Sequence, residues 1–223
     1  MGFNIAIDGP AGAGKSTAAR QAAQRLGFIY VDTGAMYRTI ALYLLRHHID
    51  VEDEKTLQEA LDNISVSISY DNGVQHMLLN GEDVTGMIRT QEVSDEASRS
   101  SAHPAVRQKL LQLQRGLADT CDVLMDGRDI GTKILPDAGL KIFLTAGVDE
   151  RAKRRYKELE EKGESVSFEE IRSQIEERDY RDTHREVSPL CQAADAVLLD
   201  TSDMDLDMVV SAIVNMAKER MNA

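Results

Sequence analysis

The chain has 223 residues, 42% of them apolar and 29% charged, and carries a net charge of −12 at pH 7. That suffices for a single soluble domain, with or without small insertions, around a substantial core. The acidic balance excludes a non-specific nucleic-acid binder, which would carry a basic surface, and favours small-molecule chemistry in a local basic pocket.

The chain opens with an apolar run, Phe3-Asn4-Ile5-Ala6-Ile7, that reads as a buried strand. Gly9-Pro10-Ala11-Gly12-Ala13-Gly14-Lys15-Ser16 then completes a G-x-x-x-x-G-K-[ST] phosphate-binding loop, and Thr17 leads into a helix that Gly27 stops. The strand–loop–helix context turns this pattern into a nucleotide site. Its glycines let the backbone curl so that successive N–H groups face phosphate oxygens, and the helix N-terminus adds partial positive charge there. Lys15 is placed to reach the β- and γ-phosphates, and the Ser16 hydroxyl to ligate Mg²⁺. The loop alone does not separate a kinase from a GTPase, an ATPase motor or a transporter subunit.

Four more short apolar runs follow: Phe28 to Val31, Val123 to Met125, Leu140 to Leu144 and Ala196 to Leu199. Alternating with helices, the five runs predict an α/β fold with a parallel sheet buried on both faces. Gly34 to His48, Pro104 to Leu117 and Asp203 to Met221 carry the helical spacing. Ligands of such folds bind beyond the carboxyl ends of the strands, so acidic strand ends such as Asp8, Asp32, Asp126 and Asp200 are expected to meet the glycine loop. The stretch Asp32-Thr33-Gly34-Ala35-Met36-Tyr37-Arg38 opens a helix at a strand end, which makes a second anion site. Arg38 would face an acceptor phosphate there and Thr33 a base. Equally, it reads as a capped helix with Arg38 exposed. Asp122 to Gly127 has the shape of a Walker B strand, in which Asp126 orients Mg²⁺ or its water, although an ordinary acidic strand end looks the same. Arg128 and Asp129 set a guanidinium fork and a carboxylate at the same rim.

Two stretches break the strand–helix rhythm. Between residues 62 and 100, Ser65 to Tyr70 alternates polar and apolar, Asp71-Asn72-Gly73 supplies turn chemistry and His76 to Gly81 follows. An antiparallel hairpin with one exposed face is predicted. From Asp149 to about Arg185 the chain is charged and helical, broken at Lys162-Gly163-Glu164, and Ser167-Phe168-Glu169-Glu170 forms a capping box that restarts the helix. It holds Arg151, Arg154, Arg155, Arg172, Arg178, Arg181 and Arg185, seven of the 17 arginines. A solvated helix with i,i+4 pairs such as Arg154 with Glu158 accounts for any one of them. As a group they suit a mobile lid over a triphosphate, because guanidinium forks bind phosphate oxygens in pairs. Arg154, Arg155, Arg178 and Arg181 are the candidate catalytic arginines beside Lys15.

GPAGAGKS (9–16), DTGAMYR (32–38), GEDVTGMIRTQEVS (81–94), HPAVRQ (103–108), MDGRDIGT (125–132), KIFLTA (141–146) and ERDYRDTHREVSPL (177–190) run through nearly the whole chain in order. Together they resemble the bacterial-type cytidylate kinases, within the nucleoside monophosphate kinases. The resemblance implies a P-loop NTPase-type core with a five-stranded parallel sheet, a small antiparallel monophosphate-binding insert and a helical lid. The whole would form one domain, with the core at 1–61, 101–150 and 186–223, the insert at about 62–100 and the lid at about 151–185. It implies ATP and CMP or dCMP as substrates, with Mg²⁺ at Ser16 and Asp126. By similarity, Thr33, Arg107 and Asp129 contact the cytosine edge. Cytosine offers an N4 donor that a carboxylate accepts. Tyr37 belongs to the same acceptor site, Arg38 and Arg128 hold the acceptor phosphate, and Ser98, Asp182 and Arg185 lie near the ribose. A kinase for UMP or another small acceptor is the nearest alternative. A regulatory GTP switch would need a guanine-reading N-K-x-D stretch, and the chain has none. A non-catalytic nucleotide-binding module is a third reading.

Cys121 and Cys191 form no C-x-x-C and suggest neither a disulfide framework nor a zinc site; they read as thiols of a reducing cytoplasm. No signal peptide is expected where strand residues begin at position 3, Ala6 breaks the myristoylation pattern, and no apolar run approaches membrane-spanning length. A cytoplasmic monomer without membrane or nucleic-acid partners is the expectation.

Overall fold

β1, Ile5–Asp8, is buried along its whole length because it lies at the centre of a parallel sheet with neighbours on both edges. The structure, a computed structural model, describes residues 2–71, 73–161, 163 and 166–222. Asn72 of the expected turn and Lys162 and Glu164 of the expected helix break lie outside these residues. α1, Lys15–Leu26, leaves the phosphate loop and ends at Gly27 (φ 73°), which takes the left-handed cap that glycine adopts without strain. β2 is Ile29–Asp32 and α2 is Thr33–Arg46. Further along come α5 at Pro104–Thr120, β6 at Val123–Gly127, β7 at Leu140–Thr145, β8 at Val197–Asp200 and α8 at Leu206–Met221. The five strands are parallel in the order β2-β6-β1-β7-β8. β6 carries Gly127 opposite Asp8, which sets the two strand ends side by side.

Two apolar layers sandwich the sheet. On one face, Ala18, Ala19, Ala22 and Ala23 of α1 pack with Val210 and Ile213 of α8 against Ile5, Ile7 and Leu144. The alanines give α1 a smooth face with no side-chain entropy to lose. On the other, Met36, Ile40 and Leu44 of α2 join Val106 and Leu110 of α5 against Val31 and Met125.

Residues 62–100 form more than a hairpin. α3 (Glu54–Asp62) precedes β3 (Val66–Asp71) and β4 (Val74–Leu79), a two-residue β5 (Glu82–Asp83) adds a third antiparallel strand, and α4 (Gln91–Ser100) follows. This small sheet docks on the edge of β2 through side chains. The Gln75 carbonyl oxygen accepts the Asp32 N–H at 2.9 Å, its amide donates to the Asp32 carbonyl at 3.3 Å, and the Tyr70 hydroxyl donates to the Tyr30 carbonyl at 3.2 Å.

α6 (Val148–Glu161) and α7 (Phe168–His184) pack on each other around Ala152, Leu159, Ile171 and Ile175, a cluster separate from both layers of the main core. The predicted capping box is present: the Ser167 hydroxyl accepts the Glu170 N–H, and Glu170 reaches back to the Ser167 N–H. The expected pairing of Arg154 with Glu158 is replaced: Arg155 holds Glu158 at 2.9 Å and Arg154 turns to Glu150 at 3.8 Å. Among the described residues no helix is long and apolar enough to cross a membrane.

The tightest backbone approach in the core is at Gly9, where φ is 153° and a Cβ would lie 1.9 Å from the Leu144 carbonyl oxygen. At Gly27 nothing lies within 4 Å of the added carbon. Gly9→Ala should therefore cost at least about 3 kcal/mol, lowering Tm by roughly 6–12 °C, whereas Gly27→Ala should cost only about 1 kcal/mol. Thermal unfolding of the nucleotide-free protein compares them, and equal losses would contradict the assignment of Gly9 as a close-approach glycine.

Candidate functional site

The phosphate loop curls through Gly12 (φ 73°) and Gly14 (φ 84°), both in the left-handed region. Lys15, 5% exposed, folds back so that its ammonium donates to the Pro10 carbonyl at 2.7 Å. Burial and then the Arg128 guanidinium pull the amine well below its ordinary value, against the carboxylates of Asp126, Asp182 and Asp8. This cation sits in a loop whose backbone donors converge, so it is primed to gain from an entering anion.

Beside it, the Ser16 hydroxyl donates to Asp126 at 2.8 Å, and the Tyr30 hydroxyl donates to the other oxygen of Asp126, also at 2.8 Å. Burial and then the charge of Asp32 raise the Asp126 carboxyl. A carboxylate so placed would be relieved by a cation. Two oxygen donors suit Mg²⁺, which keeps several waters and takes phosphate oxygens for its remaining positions. Among the described residues no group of three or more histidine, cysteine or acidic side chains is arranged to hold a metal.

Past the sheet edge, Asp32 caps α2 by accepting the Ala35 N–H at 2.8 Å, and it also accepts from Arg38 and Arg89, each at 3.0 Å. Burial raises its carboxyl, but Arg38 and Arg89 more than offset this and hold it below the usual range. The helix is capped, but Arg38 is not exposed as the capped-helix reading expected: it is turned inward, with a side chain 14% exposed. Thr33 donates its hydroxyl to the Asp126 carbonyl at 2.7 Å, which leaves its oxygen free to accept.

After β6 the chain presents Arg128 and Asp129. Arg128 donates to Asp182 at 2.8 Å. Asp129 is 4% exposed and is paired with Arg107, whose guanidinium lies 5.4 Å from the centre of the Tyr37 ring, a cation–π contact. Arg107 also donates to the Ser101 carbonyl at 3.0 Å, and Arg185 donates to the Ser188 carbonyl at 2.7 Å. Several polar atoms in this quarter are buried with no protein partner: Ser98 Oγ, Arg178 Nε, Arg181 Nε and Arg185 Nη2. Buried donors without partners are costly, and their convergence points to a polar occupant. Burial and then Arg128 pull Arg178 down to about 10.

Tyr30 and Asp8 aside, the side chains described above line one cleft of about 1010 Å³. Every site residue proposed from the sequence lines it except Gly9 and Pro10. Gly9 faces β7 instead, and Pro10 acts through its carbonyl. Arg155 lines the cleft. Arg154 does too, but its fork is engaged with the Thr201 carbonyl at 2.6 Å and with Thr201 Oγ1 at 3.2 Å. That clamps α6 to the loop after β8. Sequence reasoning missed Arg89, Tyr30 and the Thr201–Val209 side of the cleft. Arg89 falls inside the GEDVTGMIRTQEVS motif, so its signal was present without an assigned role. Tyr30 looked like one more apolar strand residue.

A family model described as cytidylate kinase matches residues 5–219. The cytidylate kinase of Lactobacillus gasseri is 47% identical over 218 residues, 98% of this chain and 95% of the relative. That of Shouchella clausii is 47% identical over 98% of this chain and 97% of its own length. That of Klebsiella pneumoniae is 46% identical, over 97% and 96%. A crystal structure of shikimate kinase from Bacteroides thetaiotaomicron superposes with a TM-score of 0.50 at 12% identity, covering 99% of each chain. At that identity the likeness speaks for the fold alone.

Asp182 is the carboxylate on which two of the cleft's arginines depend, at 2.8 Å from Arg128 and 3.8 Å from Arg185. Burial raises its carboxyl, but Arg128, Arg178 and Arg185 together outweigh this and hold it below 3.8. Its stabilising share is therefore present above pH 3.8 and is lost as pH falls through the lowered value. Removing one partner of a buried pair costs about 3–5 kcal/mol, so Asp182→Ala should lose roughly that at pH 7. The gap from wild type should narrow only below pH 3.8. Urea unfolding across pH measures this, and a pH-independent gap would contradict it.

Proposed function

The chain belongs to the cytidylate kinase family, and we propose that it transfers the γ-phosphoryl group of ATP to CMP or dCMP, giving ADP and CDP or dCDP. The observation that carries this reading is the Arg107–Asp129 pair beside Thr33, set in the same cleft as the phosphate loop. Asp129 suits the N4 donor of cytosine, while Arg107 and a hydroxyl suit its O2 and N3 acceptors. Arg38, Arg128 and the newly found Arg89 suit the acceptor phosphate. Strand order supports the division of the cleft. Asp129 follows β6 on one side of β1, and Thr201, Met204, Leu206 and Val209 follow β8 on the other. The second side suits the donor nucleoside, with the triphosphate across the loop between.

The chemistry needs no general base. The second pKa of a nucleoside monophosphate lies near ~6, so its phosphate oxygens are already anionic at neutral pH. One such oxygen attacks the γ-phosphorus in line, and the bond from that phosphorus to the β–γ bridging oxygen breaks, leaving ADP. The protein's task is to hold two mutually repelling phosphates in register, exclude water and stabilise the transferred group. Lys15, Arg155, Arg178 and Arg181 supply positive charge at that group. Ser16 and Asp126 would hold Mg²⁺, whose contribution is to neutralise charge on the donor phosphates.

Residues 151–185 serve in this reading as a lid, and residues 62–100 as the acceptor-binding insert. The separate apolar cluster of α6 and α7 supports a lid able to move as a unit. The insert brings Arg89 and Ser98 to the cleft wall.

Lys15→Ala should lower kcat by roughly 10²–10³-fold while changing the KM for CMP by less than about threefold, since it acts on transition-state charge. A variant keeping wild-type kcat would remove Lys15 from that role. Asp129→Ala tests base choice. Facing uracil, an ionised Asp129 meets an oxygen with no proton between, so wild type should reject UMP strongly. The variant should lose roughly one to two decades in the CMP/UMP ratio of kcat/KM, the worth of one charged hydrogen bond. The ratio is read in a coupled assay at saturating MgATP with CMP, dCMP and UMP as acceptors. An unchanged ratio would shift base reading away from Asp129.

A further inference from the structure

Asp8 is a buried carboxylate that the transfer reaction does not use. It ends β1 and is 5% exposed. Its two oxygens accept the backbone N–H groups of Ile130 and Gly131, each at 2.8 Å. Those two residues open a π-helical turn, Ile130–Ile134, and both are buried. The first N–H groups of any helical turn lack partners within it, and here no solvent reaches them. The Asp8 side chain therefore caps this turn from another strand.

The segment it caps is the one that carries Arg128 and Asp129. Asp129 stands immediately before the turn, and its carbonyl accepts the Lys133 N–H at 2.8 Å. At its other end the segment leaves β6 at Gly127, which lies opposite Asp8 in the sheet. Both ends of the Arg128–Asp129 segment are thus referred to one residue, once through backbone and once through side chain. That residue is also the last before the phosphate loop begins at Gly9. Gly131 fits the contact closely: a Cβ there would lie 3.4 Å from Asp8 Oδ2 and 3.2 Å from Lys141 Cδ. Burial lifts the Asp8 carboxyl and the two N–H groups pull against it, for a net rise to about 6, so it is a carboxylate that receives both bonds at neutral pH.

We propose that Asp8 is a positioning residue for base recognition: it fixes Asp129 relative to the phosphate loop, and so sets the acceptor base against the donor phosphates. The proposal rests on the reading of Asp129 as the carboxylate facing cytosine. Asp8 does not line the cleft. It acts through the backbone of Ile130 and Gly131.

The test is Asp8→Asn. The amide keeps the size of the side chain but has a single acceptor, and its NH₂ meets an N–H. The CMP/UMP ratio of kcat/KM should fall by about fivefold or more, with the loss for CMP mainly in KM. Binding of a non-hydrolysable ATP analogue should stay within about twofold. Amide exchange at Ile130 and Gly131 in the free protein should quicken by roughly tenfold, as for any lost cap. In an Asp129→Ala background, Asp8→Asn should change the ratio by less than about twofold, because both act through one group. If Asp8→Asn does not fold, Gly131→Ala crowds the Lys141 stem at 3.2 Å and sets a methyl against Asp8 Oδ2 at 3.4 Å, shifting the Gly131 N–H that Asp8 holds, and should lower the ratio in the same direction. Three results would overturn the proposal. In the first, Asp8→Asn (or Gly131→Ala in its place) keeps the ratio while Asp129→Ala collapses it, which leaves the reading of Asp129 standing. In the second, kcat falls equally for CMP and UMP and the ATP analogue binds more weakly, which marks a general structural role. In the third, Asp129→Ala itself leaves the ratio unchanged, which removes the base reading and this proposal with it.

Discussion

Nine arginines line a single cleft, and the repulsion among them is the constraint on which the rest of the structure depends. Guanidinium groups stay charged under almost any conditions, so they cannot relieve crowding by losing protons as lysines do. Three buried carboxylates hold them apart. Asp32 takes Arg38 and Arg89, Asp129 takes Arg107, and Asp182 takes Arg128 and sits near Arg185. Each carboxylate is itself held in place by an element boundary: the start of α2, the end of β6 and the last turns of α7. The fold thus sets five of the nine beside a buried carboxylate while the protein as a whole stays strongly acidic.

Parallel strands make this arrangement possible. They end together, and their connections all emerge at one rim, so residues distant in sequence meet there. β1 lies at the centre, and the phosphate loop is its direct continuation. The Arg128–Asp129 segment follows the strand on one side of it, and the Thr201–Val209 segment follows the second strand over on the other. Arg154 spans from α6 to Thr201 and to the phosphate loop carbonyl of Ala13, so a helix outside the main core is anchored to the same rim.

Much of this was legible in the sequence, for reasons that differ from place to place. The phosphate loop was legible because its glycines and lysine answer to one geometric need. Ser167 and Glu170 announced a helix start because a capping box is a local device. The five buried runs announced a parallel sheet, but their order did not show, since order is set by long-range packing. α3 and α4 were missed. α4 offers only Val93 and Ala97 as buried apolar residues among polar ones, a stripe too narrow to stand out, although Thr90 caps it by accepting the Val93 N–H. Asp8 and Tyr30 looked like a strand end and a strand residue, and their contacts with Ile130, Gly131 and Asp126 cross about a hundred residues of chain. Arg154 was found as a cleft residue, yet nothing local indicated that its fork would grip a backbone carbonyl.

The docking of Gln75 on Asp32 has a consequence beyond recognition. β2 is an outer strand of the sheet, and outer strands present unpaired N–H and C=O groups that invite pairing with another chain. A primary amide has the donor and acceptor of a peptide group, so the Gln75 side chain occupies the open rung at Asp32 as one residue of a sixth strand would. Tyr70 covers the carbonyl of Tyr30 beside it. The small sheet therefore closes this stretch of the open margin with side chains too short to propagate a ladder.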